Sequence, residues 1–231
     1  MSATRPSRPA PDLARPTGPG RPKDLGKRAA ILDAAKRLFT RHSFDAVSMD
    51  QIAAEAGVSK LTVYSHFGDK ESLFGEAVRA RCEEQLPPAL FLAELPGGPR
   101  ERLTAIAQAF FALVSSEESV SVHRMMMTDA TDQHVRELFW ASGPRRVKDA
   151  FEEFLRIEIA KGDLRIDDVP RAASQFFCLI KGELHMQLLC GLCCTVANED
   201  RDAHILAMVE LFLRAYGTAG QADEPSDGAS P

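Results

Sequence analysis

The segment that most constrains this chain is SMDQIAAEAGVSKLTVYSHF, residues 48–67. Ser48 followed three residues later by Gln51 is typical of a capping box, which starts a helix. Gly57 supplies the positive φ that ends this helix, and Ser59 can cap another one. The pattern therefore predicts two short helices joined by a tight turn.

The second of these helices divides into an inner and an outer face. Val63 and Phe67 are four residues apart, so they point inward together. The outer face carries Leu61, Thr62, Tyr64 and Ser65. A short helix whose outer face consists mainly of small polar groups and one tyrosine fits the major groove of DNA.

A longer stretch, residues 25–85, resembles the DNA-binding domain of the TetR family of bacterial transcription regulators. The resemblance is carried by the run from Ile31 to Phe39 and by Tyr64-x-His66-Phe67-x-Asp69-Lys70-x-x-Leu73 after the Gly-Val-Ser turn. The rest of the chain resembles the family's C-terminal domain more weakly, in its AefR-like type, through the run from Phe110 to Arg136. The resemblance implies an all-α fold, with an N-terminal three-helix helix-turn-helix domain and a helical C-terminal domain that binds a ligand and dimerises.

Eight residues are expected to contact double-stranded DNA: Ser48, Lys60, Leu61, Thr62, Tyr64, Ser65, His66 and Lys70. The side chains of the second helix can reach base edges, where Leu61 offers apolar contact to a thymine methyl group. Ser48 and the first N–H groups of its helix can bind a phosphate. The resemblance implies phosphate contacts for Tyr64, His66 and Lys70. An alternative stays open for Tyr64 and His66, namely packing between helices, which a tyrosine can combine with a hydroxyl contact.

The charge distribution supports contact with nucleic acid at one end only. Residues 1–70 hold 12 Lys or Arg against 7 Asp or Glu, whereas residues 71–231 hold 16 against 26, within a net charge of −5. A basic end on an acidic body is the expected footprint of a protein that docks DNA with that end.

The first 23 residues contain six prolines and five Arg or Lys residues, and this composition predicts a disordered arm. Two interpretations stay open for the arm. It is either a solvated leader, which we favour for Arg5 to Arg15, or a segment whose Arg21 and Lys23 meet phosphate beside the first helix.

Helical periodicity continues through the rest of the chain, and no stretch alternates long enough to predict a strand. We expect a disordered basic arm over 1–23, the helix-turn-helix domain over 24–85, a helical ligand-binding and dimerisation domain over 86–217, and a disordered tail over 218–231. Gly143-Pro144 should break one long helical stretch, and Asp168 should cap a helix that runs to about Leu192.

The last two helices are rich in apolar residues, and the final one is apolar around most of its circumference. One face can pack on its own subunit, so the remainder needs another partner. A two-fold dimer would supply that partner through a four-helix bundle, as the resemblance also implies. The expected interface residues are Phe176, Ile180, Leu184, Leu188, Ile205, Val209, Phe212 and Tyr216.

A ligand pocket in the body is expected mainly from the resemblance. Its candidate lining residues are Phe110, Phe111, His123, Met126, Met127, Trp140, Phe177 and His185. Aromatic and methionine side chains suit a small apolar or aromatic effector. The alternative is that many of these side chains belong to the core, where phenylalanine and methionine are common.

Cys178, Cys190, Cys193 and Cys194 form the least usual cluster in the sequence. A thiol sensor or a metal site is one interpretation, and small apolar residues in the dimer helix are the favoured one. We expect no metal, cofactor or catalytic residues, since no Gly-rich phosphate loop, G-x-S-x-G or HExxH motif occurs. The cysteine usage and the lack of an apolar leader or membrane span indicate a cytoplasmic protein with no membrane partner.

Taken together, these patterns predict a DNA-binding transcription regulator, most simply a ligand-responsive repressor that binds a palindromic operator as a homodimer. A sensor that uses the cysteine cluster and a helical enzyme are the two alternatives from other classes.

Overall fold

The computed structural model describes residues 24–92, 96–193 and 195–218. In this part of the chain the fold is all-α, as predicted, and Leu164 and Gly217 form an isolated antiparallel β-bridge. The predicted arm over 1–23, Cys194 and the tail beyond Thr218 lie outside the described residues. The helices are α1 Leu25–Arg41, α2 Met49–Glu55, α3 Lys60–Phe67, α4 Lys70–Gln85, a 3₁₀ helix Pro88–Phe91, α5 Pro99–Ser115, α6 Glu117–Met126, α7 Gln133–Ser142, α8 Pro144–Lys161, α9 Val169–Cys190 and α10 Asn198–Tyr216.

Helix boundaries follow local capping chemistry. Asp24, Asp69 and Asp168 each accept hydrogen bonds from backbone N–H groups in the first turn of α1, α4 and α9. These side chains satisfy donors that have no partner inside a helix. Gly143 separates α7 from α8, and Pro144 occupies the first turn of α8, as the sequence predicted.

The helices α1 to α4 form a head with its own apolar core. Ile31, Ile52, Val63 and Leu73 are fully buried at its centre. Val135 of α7 is buried in this same core, and Phe139 of α7 packs against it. The body therefore contributes a helix to the head, so the two parts predicted from the sequence share a packed boundary.

The helices α5, α8, α9 and α10 form the body around a group of phenylalanines. Phe151 stacks on Phe154 and Phe176, with ring centroids 5.6 and 4.5 Å apart. Phe212 of α10 meets Phe176 edge-on at 5.2 Å. Offset and edge-on pairs of this kind add to the stability that burial provides.

Six of the eight side chains predicted for the dimer interface lie in this body core or beside it. Phe176, Ile180, Leu188, Ile205, Val209 and Phe212 are at most 3% exposed. That part of the prediction is wrong, because side chains that are buried within their own subunit cannot face a partner. Leu184 and Tyr216 are half-buried and remain available.

Helix α9 bends at Gly182, which the sequence pattern did not predict. Gly182 has φ 49° and ψ −156°, a conformation open to glycine alone among common residues. The bend frees carbonyl groups, and Nε2 of His204 lies 3.1 and 3.0 Å from the carbonyl oxygens of Leu179 and Ile180. The α10 histidine therefore donates to the backbone that the bend exposes.

The start of the predicted tail also needs a correction. Thr218 donates its backbone N–H to the carbonyl of Asp163 at 3.2 Å and its hydroxyl to the carbonyl of Gly162 at 2.8 Å. These bonds attach the residue after α10 to the loop after α8. Thr218 therefore belongs to the folded body.

Candidate DNA-binding surface and body cavity

The turn between α2 and α3 has the geometry that the sequence predicted. The Ser48 hydroxyl accepts from the Gln51 N–H at 3.2 Å, and the Gln51 side chain accepts from the Ser48 N–H at 2.8 Å. Gly57 ends the first helix with φ 65°. The Ser59 hydroxyl then caps α3 by accepting from the Thr62 N–H at 3.2 Å. The two satisfied caps fix the residues at which the short helices begin.

One face of α3 is buried and the other is open. Val63 and Phe67 lie in the head core, whereas the Leu61 side chain is 79% exposed. Tyr64 and Ser65 are also exposed, and Thr62 is half-buried beside the Ser59 hydroxyl. The open face therefore presents an apolar tip, a phenol and two hydroxyls to any surface that approaches the head.

The basic residues of this surface already have partners in the head. Lys60 donates to the Asp50 carboxylate at 2.7 Å, and this hydrogen bond raises the pKa of Lys60. Lys70 donates to the carbonyls of Phe44 and Val47 at 3.0 and 3.2 Å, with its ammonium 4.2 Å from the Phe44 ring centre. Lys70 thus ties α4 to the loop before α2, a role that sequence reasoning missed because those acceptors are backbone atoms.

His66 lies at the edge of α3, half-buried beside the Phe67 ring. Its Nδ1 atom is buried and has no hydrogen-bond partner among the described residues. Packing between helices therefore fits His66, whose ring is half-buried. It fits Tyr64 less well, because the Tyr64 side chain is 43% exposed.

The second candidate site is a cavity of about 1290 Å³ where the head meets the body. Residues of α1 and α4 form its wall on the head side, and residues of α5 to α9 form the rest. A molecule in this cavity would touch both parts of the chain at once.

Six of the eight predicted pocket residues line this cavity: Phe110, His123, Met126, Met127, Trp140 and Phe177. Phe111 does not, because it is 1% exposed in the body core, near the ring of His204. His185 does not line it either, and its ring lies 5.9 Å from that of His123. The alternative that some of these side chains belong to the core is therefore correct for Phe111 and His185.

The cavity wall is more charged than the sequence suggested. Lys36 of α1 pairs with Asp33 at 2.7 Å, and Arg81 of α4 pairs with Glu118 at 2.8 Å. Lys148 of α8 pairs with Glu152 at 2.8 Å. Sequence reasoning missed these residues because each looked like a solvated helix face, and only the packing of separate helices brings them to one cavity.

Burial controls the titration of three groups near the cavity. Burial raises the pKa of the Cys82 thiol to about 11, which keeps it protonated. Burial also lowers the pKa of His185 to about 4, and the neighbouring His123 lowers it further. The pKa of His123 is lowered mainly by burial, so both rings are neutral near pH 7.

The cysteine cluster shows no metal-site geometry where it is described. Cys178 and Cys190 are exposed and Cys193 is half-buried. Among the described residues, no group of three His, Cys, Asp or Glu side chains is placed to hold a metal ion. In the same part of the chain, no helix has the length and apolar character needed to cross a membrane.

An exposed recognition helix on a capped helix-turn-helix, joined to a helical body with a cavity, defines a class of protein: a helix-turn-helix transcription regulator. Comparison with known proteins agrees. The pattern of the bacterial regulatory proteins of the tetR family matches residues 31–77, and the pattern of the AefR-like transcriptional repressor C-terminal domain matches residues 101–218. The chain belongs to the TetR family.

Individual relatives support this assignment. The chain is 28% identical over 148 residues to the uncharacterized regulator YdeS of Bacillus subtilis, covering 63% of this chain and 71% of YdeS. It is 45% identical over 102 residues to AcrR of Shigella flexneri, and that match spans 43% of this chain and 46% of AcrR.

Solved structures are similar over most of the chain. The flavonoid-responsive regulator FrrA is 31% identical, with a TM-score of 0.65 over 84% of this chain and 99% of FrrA. A candidate TetR-family regulator from Mesorhizobium loti is 27% identical, with a TM-score of 0.68 over 84% of this chain and 98% of its own. The protein is therefore a DNA-binding transcription regulator, and the family's members are transcription factors rather than enzymes.

Proposed function

We propose that this protein is a ligand-responsive repressor that binds a palindromic operator as a homodimer in the cytoplasm. The observation that carries the proposal is the position of the cavity, whose wall includes α1 and α4 of the DNA-binding head. A ligand that binds in this cavity more tightly when the head is shifted can change the position of the head. The similarity of residues 101–218 to AefR-like repressors supports repression rather than activation.

DNA contact is assigned to the open face of α3. Lys60, Leu61, Thr62, Tyr64 and Ser65 lie where base edges and flanking phosphates would approach a helix in the major groove. The exposed Ser48 hydroxyl lies at the start of α2, and His66 and Lys70 lie behind α3 at the edge of the surface. Lys70 has two carbonyl acceptors, so one of its three N–H groups remains for a phosphate.

Dimerisation is assigned to the outer faces of α9 and α10. Met186, Leu206 and Leu211 are 56, 53 and 47% exposed, on the sides of these helices that face away from the body core. Leu184 and Tyr216 on the same two helices are half-buried. Covering exposed apolar side chains of this kind favours association. Two heads joined in this way would meet major grooves about 34 to 36 Å apart, which requires a palindromic operator.

The proposed mechanism runs through α4. Leu73, Phe74 and Ala77 of this helix are buried in the head core. The cavity wall includes Phe74 and Ala77 and continues along the helix through Val78, Arg81 and Cys82. A ligand that prefers a shifted α4 changes the separation of the two recognition helices. It can release the operator only to the extent that it binds the two states with different affinity.

The effector is proposed to be small and to carry an apolar or aromatic ring system. The Phe110 and Phe177 rings, 4.4 Å apart, form an aromatic wall, and Trp140 and two methionines lie on the same cavity. FrrA, a structural relative, is described as a flavonoid-responsive regulator. No cofactor or metal is part of the proposal.

The dimer is tested by sedimentation of the wild type and of the double variant Met186→Glu/Leu206→Glu. We expect a dimer for the wild type and a monomer for the variant, because two buried carboxylates per subunit would oppose the interface. Leu61→Glu is the matched control, since Leu61 is exposed and apolar but lies on the head. A wild-type monomer at the concentrations that bind DNA would overturn the proposed dimeric mode of binding.

A further inference from the structure

The charge of the cavity is opposite to the charge of the body around it. Eight Lys or Arg residues and five Asp or Glu residues line the cavity. Over residues 71–231 the balance is reversed, with 16 Lys or Arg against 26 Asp or Glu. A locally basic cavity in an acidic body concentrates anions at that site rather than over the whole surface.

The acidic side chains of the cavity wall all have cationic neighbours. Asp33 and Glu84 pair with Lys36, and Glu118 pairs with Arg81. Asp149 lies 4.0 Å from Arg145, and Glu152 pairs with both Lys148 and Arg156. Each of these carboxylates therefore already has a cationic side chain beside it.

Lys181 differs from the other lysines of the wall. It is half-buried, it lines the cavity, and no carboxylate pairs with it among the described residues. Burial is the main cause that lowers the pKa of His123 and of His185, and the positive charge of Lys181 lowers both further. The cluster of Lys181, His123 and His185, which we call the basic corner, therefore has one ammonium group without a counter-charge.

The histidines of the basic corner do not supply that counter-charge. His123 Nδ1 lies 2.7 Å from the Ser119 carbonyl oxygen, which can only accept, so Nδ1 carries the proton. In the neutral ring Nε2 is then an acceptor. Lys181 is thus the charged donor of the basic corner.

The aromatic wall lies next to the basic corner. Ser174, Phe177, Cys178 and Lys181 recur at helical spacing on the face of α9 that lines the cavity. Lys181 follows Phe177 by one turn, a rise of about 6 Å. A flat ring system against Phe110 and Phe177 would therefore place an acidic substituent at the Lys181 ammonium.

From this arrangement we infer that the cavity binds an apolar organic anion, with its ring system on the Phe110–Phe177 wall and its acidic group on Lys181. The inference deepens the proposed ligand-responsive function by naming the charge of the effector and the residue that recognises it. Neutral or cationic apolar molecules of the same shape lack the contact to Lys181 and bind more weakly than the anion.

The test uses two fluorescent probes that share a ring system. 8-Anilinonaphthalene-1-sulfonate carries a sulfonate, and N-phenyl-1-naphthylamine is the same framework without it. Trp140 is the only tryptophan of the chain and lines the cavity, so energy transfer from Trp140 reports probe bound there. A Trp140→Phe variant shows how much signal comes from other sources.

Lys181→Met is expected to weaken binding of the sulfonate probe about tenfold, because a charge-assisted contact is lost. The same variant should change binding of the neutral probe less than about twofold, since methionine keeps the apolar stem. Lys181→Arg should restore sulfonate binding, and Lys27→Met, an exposed lysine on α1, should change neither probe. Raising salt from about 0.1 M to about 1 M should weaken the sulfonate probe selectively.

Equal weakening of both probes by Lys181→Met, or no weakening of either, would overturn the inference. So would a sulfonate probe that gives no energy transfer from Trp140.

Adding the sulfonate probe to protein bound to its operator separates this inference from the proposed function. If the probe binds through Lys181 and the operator stays bound, the anion site stands and the ligand-responsive mechanism fails.

Discussion

The hydroxyl of Ser121 on α6 donates a hydrogen bond of 3.1 Å to the carbonyl of Thr40 on α1. Thr40 lies in the last turn of α1, where carbonyl groups have no partner within the helix. Thr40 also lines the cavity, and so do Val122 and His123, the residues that follow Ser121. This bond therefore links the cavity wall directly to the first helix of the DNA-binding head.

Replacing Ser121 by alanine removes this link. We expect the Ser121→Ala variant to lose about 1 kcal/mol of unfolding free energy, because a half-buried carbonyl is left without its donor. Ser174→Ala is the control, since the Ser174 hydroxyl donates only to the Pro170 carbonyl of its own helix and is exposed. Urea unfolding of both variants measures the difference, and equal losses would mean that the bond between α6 and α1 contributes nothing.

Gly143 allows α4 to approach the junction of α7 and α8. A Cβ atom at this position would lie 2.8 Å from Cγ1 of Val78 and 3.1 Å from Sγ of Cys82. We expect Gly143→Ala to destabilise the protein by about 1 to 3 kcal/mol and to weaken operator binding, since α4 must move.

The compensating variant Gly143→Ala/Val78→Ala is the control for this prediction. It makes room for the added methyl group on the α4 side and should recover part of both losses. Thermal unfolding and DNA titration of the two variants provide the measurement. If Gly143→Ala alone kept the stability and the operator affinity of the wild type, the contact between Gly143 and α4 would have room for a methyl group. That result would contradict the prediction.

His185 makes the stability depend on pH. Its pKa in the folded protein is about 4, below the usual value of 6.5, because the ring is buried and lies beside His123. As pH falls from about 6.5 toward 4, the unfolded chain takes up a proton that the folded protein does not, so stability is lost by up to about 1.4 kcal/mol per pH unit.

His185→Phe is expected to reduce this acid dependence in unfolding experiments at pH values across that window. His134→Gln is a control of opposite sign. The Glu71 carboxylate raises the pKa of His134, so its stabilising effect is present at low pH and is lost as pH rises through the raised pKa. If the stability of the His185→Phe variant fell with pH as that of the wild type does, His185 would not be the cause of the acid dependence.

Local chemistry made the head predictable from the sequence. The capping box of Ser48, the glycine turn and the Asp69 cap each act over three or four residues, and the structure reproduces them. The same is true of the break at Gly143-Pro144. Short-range rules of this kind need no knowledge of the fold.

The dimer face and the cavity depend on long-range packing, and there the sequence was less informative. Helix α10 is apolar on several sides, but periodicity does not say which side meets the subunit's own core, so Phe212 was assigned outward and lies inward. Lys181 and Arg81 look like solvated residues in sequence, and only the packing of α9 and α4 brings them to one cavity. The bend at Gly182 was missed because a single glycine in a long apolar helix has several explanations.

The central claim is that two copies of α3 read a palindromic DNA sequence. Selection of bound DNA from a random pool by the purified protein, at about 0.1 M and about 0.3 M salt, tests it most directly. We predict one palindromic sequence that survives at the higher salt and is lost when Leu61 and Thr62 are both replaced by alanine. Weak binding to all DNA that disappears at the higher salt, with no enriched sequence, would contradict the claim.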